Sequence, residues 1–275
     1  MGLLGTLGVS VLIFTVYILV LVLILLIAQQ KIGVSGDVSL FINGDDSLSK
    51  TVPAGSTLLT TLSSQGILIP SACGGGGTCG MCKVKVLDGA GDLLPTESSH
   101  ISRKEAKENL RLGCQVKVKN DLKLEIPDEI FNIKKFDCTV RSNRNVATFI
   151  KEFILDIDGG EILDFKAGGY IQIEVPAYGE IPYKTFDIEK EYHPDWDKYK
   201  VWDYVARSDE PVIRAYSMGN HPAEGNRVML NVRIATPPPR TDFPPGICSS
   251  YIFSRKPGDK VTISGPYGEF FIKET

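Results

Sequence analysis

From Gly2 to Gln30 no position is charged and none is histidine, and Ile18–Ala28 is aliphatic throughout. A helix needs about 20 apolar residues to cross the hydrocarbon core of a bilayer, and Leu3–Ala28 exceeds that. A cleaved leader would show a positive leading segment, a shorter apolar core and a small-residue cleavage site, and none of these is present. The pattern therefore predicts a retained N-terminal transmembrane helix. Lys31 is the first basic residue and follows the run directly. Basic flanks stay on the cytoplasmic side, so the expected topology is single-pass, with the N-terminus outside and the remaining chain in the cytoplasm. The run contains no ionisable group of the kind an ion path uses, so it is read as a tether.

Beyond a linker at Lys31–Gly36, short alternating segments predict a small α+β unit. Val38–Ile42 and Lys83–Leu87 read as strands, as do Gln115–Val118 and Leu122–Ile126, the last two separated by an Asn-Asp turn. Thr57–Ser64 reads as a helix opened by Ser56 as N-cap, and Lys104–Asn109 is helical in composition. From Phe131 onward the texture changes to alternating strands with frequent glycine and proline: Asp137–Arg141, Thr148–Asp156, Tyr170–Val175, Val228–Ile234 and Lys260–Ser264. That spacing suggests an all-β barrel or sandwich. Tyr178–Pro211 interrupts it with a polar, aromatic, proline-punctuated excursion, in which Trp196, Trp202 and several tyrosines argue for ordered packing. The expected organisation is multi-domain: an anchor and linker at 1–35, an α+β unit at 36–130 and a β barrel at 131–275.

Composition adds little. At 275 residues, with 43% hydrophobic and 23% charged residues, the chain is ordinary for a folded protein of about two domains. A net charge of −3 and the lack of any basic run argue against nucleic acid as a partner.

Four of the six cysteines carry the chemistry. Cys73, Cys79 and Cys82 lie in the loop CGGGGTCGMC, spaced C-x5-C-x2-C, and Cys114 follows in RLGCQV. Three ligands in one loop can enclose a small cluster only if the backbone wraps closely. Gly74, Gly75, Gly76, Gly77 and Gly80 permit this, and they expose amide N–H groups that stabilise negative charge on sulfur. A disulfide is disfavoured in the reducing cytosol. Structural zinc prefers two paired C-x2-C knuckles, and one is missing here. A [2Fe–2S] cluster explains both the three-plus-one arrangement and the glycines. Residues 37–130 accordingly resemble a β-grasp ferredoxin domain, in which Cys73, Cys79, Cys82 and Cys114 match the metal ligands. Cys138 and Cys248 fall outside this pattern, and Cys138 is read as a buried apolar residue.

Arg214-Ala-Tyr-Ser217 follows the excursion. An arginine suits a pyrophosphate, a tyrosine face can stack on a flat ring, and a serine hydroxyl can donate to a ring nitrogen. A solvated strand would carry an arginine and a tyrosine equally well, so the motif alone is weak. Further on, Pro245–Ser250 combines a glycine with small hydroxyl residues, where backbone amides can meet a phosphate. In this order the segment resembles the FAD-binding barrel of ferredoxin–NADP reductase-like enzymes. That resemblance places FAD against Arg214, Tyr216 and Ser217, with Gly246, Ser249 and Ser250 at the pyrophosphate.

The whole order of anchor, ferredoxin and FAD barrel resembles one family of subunits in the sodium-translocating NADH:quinone oxidoreductases. CGGGGTCGMC, RLGCQVKV, FDIEKEYHPDWDKYKVWDY, RAYSMGN and RIATPPP carry that resemblance. It implies an electron-input subunit of a bacterial inner-membrane complex. Electrons would pass from NADH through FAD to the cluster, and on to membrane subunits that reduce quinone and move sodium. The cofactors supply the redox chemistry, so no catalytic acid or base is assigned. The family continues into a nicotinamide domain after GPYGEFF, and this sequence is expected to lack it. A reductase component feeding an oxygenase, or a zinc-bearing membrane scaffold, would share parts of the pattern.

Overall fold

The computed structural model describes residues 3–32, 36–238 and 241–268. Its first element, α1 (Leu3–Ile32), is a helix of 30 residues. Within it the side chains described are Ser10–Ile24, all exposed. Among the described residues, no helix is long and apolar enough to cross a membrane.

The first sheet is built from β1 (Asp37–Ile42), β2 (Asp45–Pro53), β3 (Lys83–Asp88), β4 (Leu110–Leu112) and β5 (Leu122–Glu125). Its order is β2-β1-β5-β3-β4, with β1 and β5 parallel at the centre and the other pairs antiparallel. The β1–β2 hairpin turns on Asn43 and Gly44, both with positive φ, which matches the right-handed twist of the flanking strands. α2 (Leu58–Ser64) lays Leu58 and Leu62, one turn apart, into a core with Leu40, Ile42, Leu112, Leu122 and Leu124.

Three local expectations are corrected here. The N-cap of α2 is Thr57, whose hydroxyl accepts from Thr60 N, and Ser56 lies one residue outside. Gln115–Val118 is not a strand: it contributes one isolated bridge, Thr57 to Lys117, because its amides turn back to Leu112 O and Ser56 O. α3 (Arg103–Lys107) starts one residue earlier than its composition suggests, at a capping box in which Ser102 and Glu105 satisfy each other's backbone amides.

The second sheet contains β6 (Lys134–Ala147), β7 (Ile150–Ile157), β8 (Tyr170–Val175), β11 (Val212–Ser217), β12 (Arg227–Arg233) and β13 (Lys260–Tyr267). All its ladders are antiparallel, in the order β11-β8-β13-β6-β7-β12. The expected barrel is corrected to an open sheet. β11 and β12 form no ladder; just past β11, Gly219 N donates to Met229 O and the Asn220 side chain bridges to Arg227 and Met229. Cys138 is fully buried among Phe136, Val140, Phe153 and Ile263, as a small apolar residue would be.

The excursion is ordered. β9 (Tyr178–Pro182) pairs with β10 (Val205–Ser208), and α4 (His193–Lys198) lies between them in sequence. Phe186 and Trp196 bury against α5 (Ile247–Ser254) through Phe253, and Tyr183 reaches it through Ser250. Trp196 Nε1 donates to Thr148 O at 2.7 Å, tying the excursion to the sheet.

Candidate cofactor sites

The loop between α2 and β3 carries three of the four cysteines, and the turn after β4 carries the fourth. Gly74, Gly75, Gly77 and Gly80 have positive φ, whereas Gly76 does not. This wrapping draws the thiols into two pairs. Cys73 and Cys79 Sγ are 3.4 Å apart, and the buried Cys82 lies beside Cys114. Among the described residues, no three His, Cys, Asp or Glu side chains converge as a single ion requires. Two thiols for each of two irons is the arrangement a [2Fe–2S] cluster needs, and the donor set fits that group.

The electrostatics favour a thiolate at Cys73. Burial raises the Cys73 thiol, but amides of Thr78, Cys79 and Gly75 and the Cys79 thiol outweigh it, and the net shift is downward. Burial pushes the Cys82 thiol up, with Cys114 beside it. Gln115 Nε2 approaches Cys114 Sγ at 3.5 Å. Beneath the loop lies a contact with no sequence signal. The fully buried Glu97 accepts from Arg111 Nη2 at 2.7 Å and from Leu112 N at 2.8 Å, two residues before Cys114. A glutamate and an arginine 14 positions apart share no periodicity, and only the fold brings them together.

On the second sheet, Arg214 and Tyr216 share one face of β11, opposite Ile173 and Ile171 of β8, and Ser217 points the other way and is exposed. α5 packs on both β11 and β12, so its first turn meets the R-x-Y-S strand. Burial pushes the Cys248 thiol at the start of α5 up to about 11, and the charge of Arg214 pulls against it. Gly246 is the N-cap of α5 and makes no side-chain cap bond. A Cβ there would come within 2.6 Å of Ala235 Cβ and 2.9 Å of Ser249 Oγ, so the position admits only glycine.

The serine hydroxyls are committed elsewhere. Ser249 Oγ donates to Gly246 O and accepts from Ala235 N, and Ser250 Oγ donates to Gly246 O and meets Tyr183 Oη at 2.7 Å. What this turn can offer a phosphate is therefore its backbone N–H groups and the helix dipole. Tyr178 and Tyr183 of the excursion hold the turn from behind, through Ile247 O and Ser250. Sequence reasoning left both without a role; their aromatic composition signalled packing but not its target.

The two sites touch. Arg214 Nη1 donates to the carbonyl of Cys73 at 2.9 Å, across 141 residues of chain. Residues 40–119 match the 2Fe-2S iron-sulfur cluster binding domain family, and residues 200–272 match the oxidoreductase FAD-binding domain family. All four cysteines fall in the first span, and Arg214–Ser217 and Gly246–Ser250 in the second. Over 97% of its length the chain is 59% identical to the F subunit of the Na(+)-translocating NADH-quinone reductase of Neisseria meningitidis serogroup B.

The chain resembles the F subunits of Na(+)-translocating NADH-quinone reductases.

The F subunit of Pasteurella multocida is 59% identical over 98% of this chain, and that of Actinobacillus pleuropneumoniae serotype 5b is 60% identical over 95%. The chain spans 65%, 66% and 64% of the lengths of these three relatives, respectively. The likeness to them runs through α1, both sheets and the excursion, and the two matched domain families carry a 2Fe-2S cluster and FAD.

Proposed function

We propose that the chain is the electron-input part of a sodium-translocating NADH:quinone reductase, carrying electrons from NADH through FAD to a [2Fe–2S] cluster and on to membrane subunits. The observation that carries this reading is that the loop bearing Cys73, Cys79 and Cys82, with Cys114 beside it, touches the flavin-type strand. Cys73, Cys79, Cys82 and Cys114 would hold the cluster. Arg214 binds the pyrophosphate, Tyr216 flanks the flavin ring and Ser217 donates to it. Gly246 admits the pyrophosphate to the first turn of α5, whose N–H groups receive it, and Ser249 and Ser250 fix that turn by their internal bonds. FAD accepts electrons in pairs and the cluster passes them singly, which is the conversion a quinone reductase needs.

The division at 1–35, 36–130 and 131–275 follows the two sheets and the intervening linkers. α1 anchors the chain in the inner membrane as a single span, with its N-terminus outside. In support, 30 helical residues span about 45 Å at 1.5 Å each, and Gly2–Gln30 holds no charge. The partner membrane subunits, the quinone and the sodium path lie outside this chain. The test is the visible spectrum together with the iron and flavin content of the purified chain. Two irons and one FAD per chain are expected. Zinc in place of iron, or a colourless protein, refutes the reading.

Removing Arg214 tests the flavin placement. Arg214→Ala is expected to weaken FAD binding by about 1.5–3 kcal/mol, roughly ten- to a hundredfold, while iron content holds. Unchanged FAD affinity would refute that placement.

A further inference from the structure

The guanidinium of Arg214 divides its donors unequally. Nη1 donates to Cys73 O at 2.9 Å and to Ile213 O at 2.7 Å, which uses both of its hydrogens. Among the described residues, Nε and Nη2 have no partner, so three of the five donors remain for a phosphate. The side chain is half-buried, so the uncommitted edge still reaches open space.

The cluster loop fits closely against this point. Gly74 has φ +65°, and a Cβ there would stand 2.5 Å from Ile213 O and 2.6 Å from Arg214 Nη1. Only a residue without a side chain lets the loop backbone lie on β11. Elsewhere the seam between the sheets is thin. It holds a small cluster of Leu68, Ile133 and Tyr267, and beside it a cavity of about 820 Å³ bordered by Met81, Ile130, Tyr170 and Tyr267. A seam with so little apolar packing depends heavily on its few directional contacts.

We propose that Arg214 is a shared positioning residue: one edge of its guanidinium docks the cluster loop through the Cys73 carbonyl, and the other edge receives the FAD pyrophosphate. Gly74 is the gap that makes the docking possible. This rests on the cofactor assignment above and extends it from two sites to one coupled unit. It places a fixed positive charge beside a cluster ligand, which favours the more negative, reduced state of the cluster. It also fixes the distance between cluster and flavin site by a side chain that FAD itself holds in place.

The test uses the full chain with its cluster assembled, at saturating FAD, in the parent, Arg214→Ala, Arg214→Lys and Gly74→Ala forms. Hydrogen exchange across residues 73–80 is expected to accelerate roughly ten- to a hundredfold in Arg214→Ala, the loss of one charge-assisted bond. The midpoint potential of the cluster, followed by electron paramagnetic resonance, is expected to move negative. Arg214→Lys keeps the charge and should restore most of the potential, while its single nitrogen restores little of the exchange protection. A purely structural role would not separate these two readouts.

Gly74→Ala should accelerate the same exchange, because its Cβ would press on Ile213 O and Arg214 Nη1. Exchange and potential both unchanged in Arg214→Ala would overturn the proposal, whether or not Gly74→Ala assembles its cluster. If FAD affinity is unchanged in Arg214→Ala but loop exchange rises, the pyrophosphate placement fails and the docking contact stands.

Discussion

Replacing Glu97 by alanine removes the centre of the most deeply buried polar network in the cluster-bearing unit. The Glu97 side chain is 0% exposed and that of Arg111 only 7%. Arg111 loses Nε contacts of 3.1 Å to both carboxylate oxygens and an Nη2 contact of 2.7 Å. The amides of Leu94 and Leu112 lose their acceptors as well. Arg111 keeps the carbonyls of Gly91 and Asp92, so its charge is solvated in part. Breaking a buried pair by deleting one partner costs about 3–5 kcal/mol, a large share of a domain's roughly 5–15.

With a guanidinium slope of about 3 kcal/mol per molar, the unfolding midpoint should fall by roughly 1–1.7 M. The assay is denaturation of the cluster-loaded chain followed by visible circular dichroism, since Leu112 leads directly into Cys114. Glu97→Gln keeps an acceptor for Leu112 N without the charge and should lie between the two. The pH dependence has a definite sign. Burial alone would raise the Glu97 carboxyl, yet the Arg111 bonds and the amides of Leu94 and Leu112 hold it below the ordinary carboxylate range. Its contribution is therefore complete above the usual value near ~4.3 and is lost as pH falls through the lowered one. The gap between parent and Glu97→Gln should narrow in acid. A Glu97→Ala midpoint within about 0.3 M of the parent would refute the reasoning.

Three further outcomes follow from the same structure. Cys79→Ser should lose the cluster signal on reduction while FAD content holds, because the ligands and the flavin strand belong to different sheets; a normal signal would refute ligation by Cys79. Trp196→Ala removes a fully buried ring and its bond to Thr148 O and should cost about 3–5 kcal/mol. It should also weaken FAD binding by releasing α5, and full FAD affinity in a destabilised variant would show that the excursion does not support that helix. A chain lacking residues 1–35 should stay in solution with both cofactors and leave the membrane fraction, and loss of either cofactor would give α1 a role beyond anchoring.

Much of this protein is local, and local features can be read from sequence. The C-x5-C-x2-C loop with its glycines is legible because ligand spacing and backbone permissiveness are properties of a short segment. The alternation in Leu122–Glu125 is legible because a strand with one buried face repeats every two residues. The hydroxyls of Ser249 and Ser250 show the limit, since their residue types suggested a phosphate while their partners, Ala235, Gly246 and Tyr183, are set by packing.

What the sequence could not reveal depends on distant segments meeting. Glu97 finds Arg111 only once β4 is seated in the sheet, and the barrel stays open because β11 and β12 approach without matching their ladders. Arg214 reads alone as a phosphate ligand. That one of its edges holds the Cys73 carbonyl follows from the two sheets coming together, and nothing in the periodicity of either segment encodes that encounter.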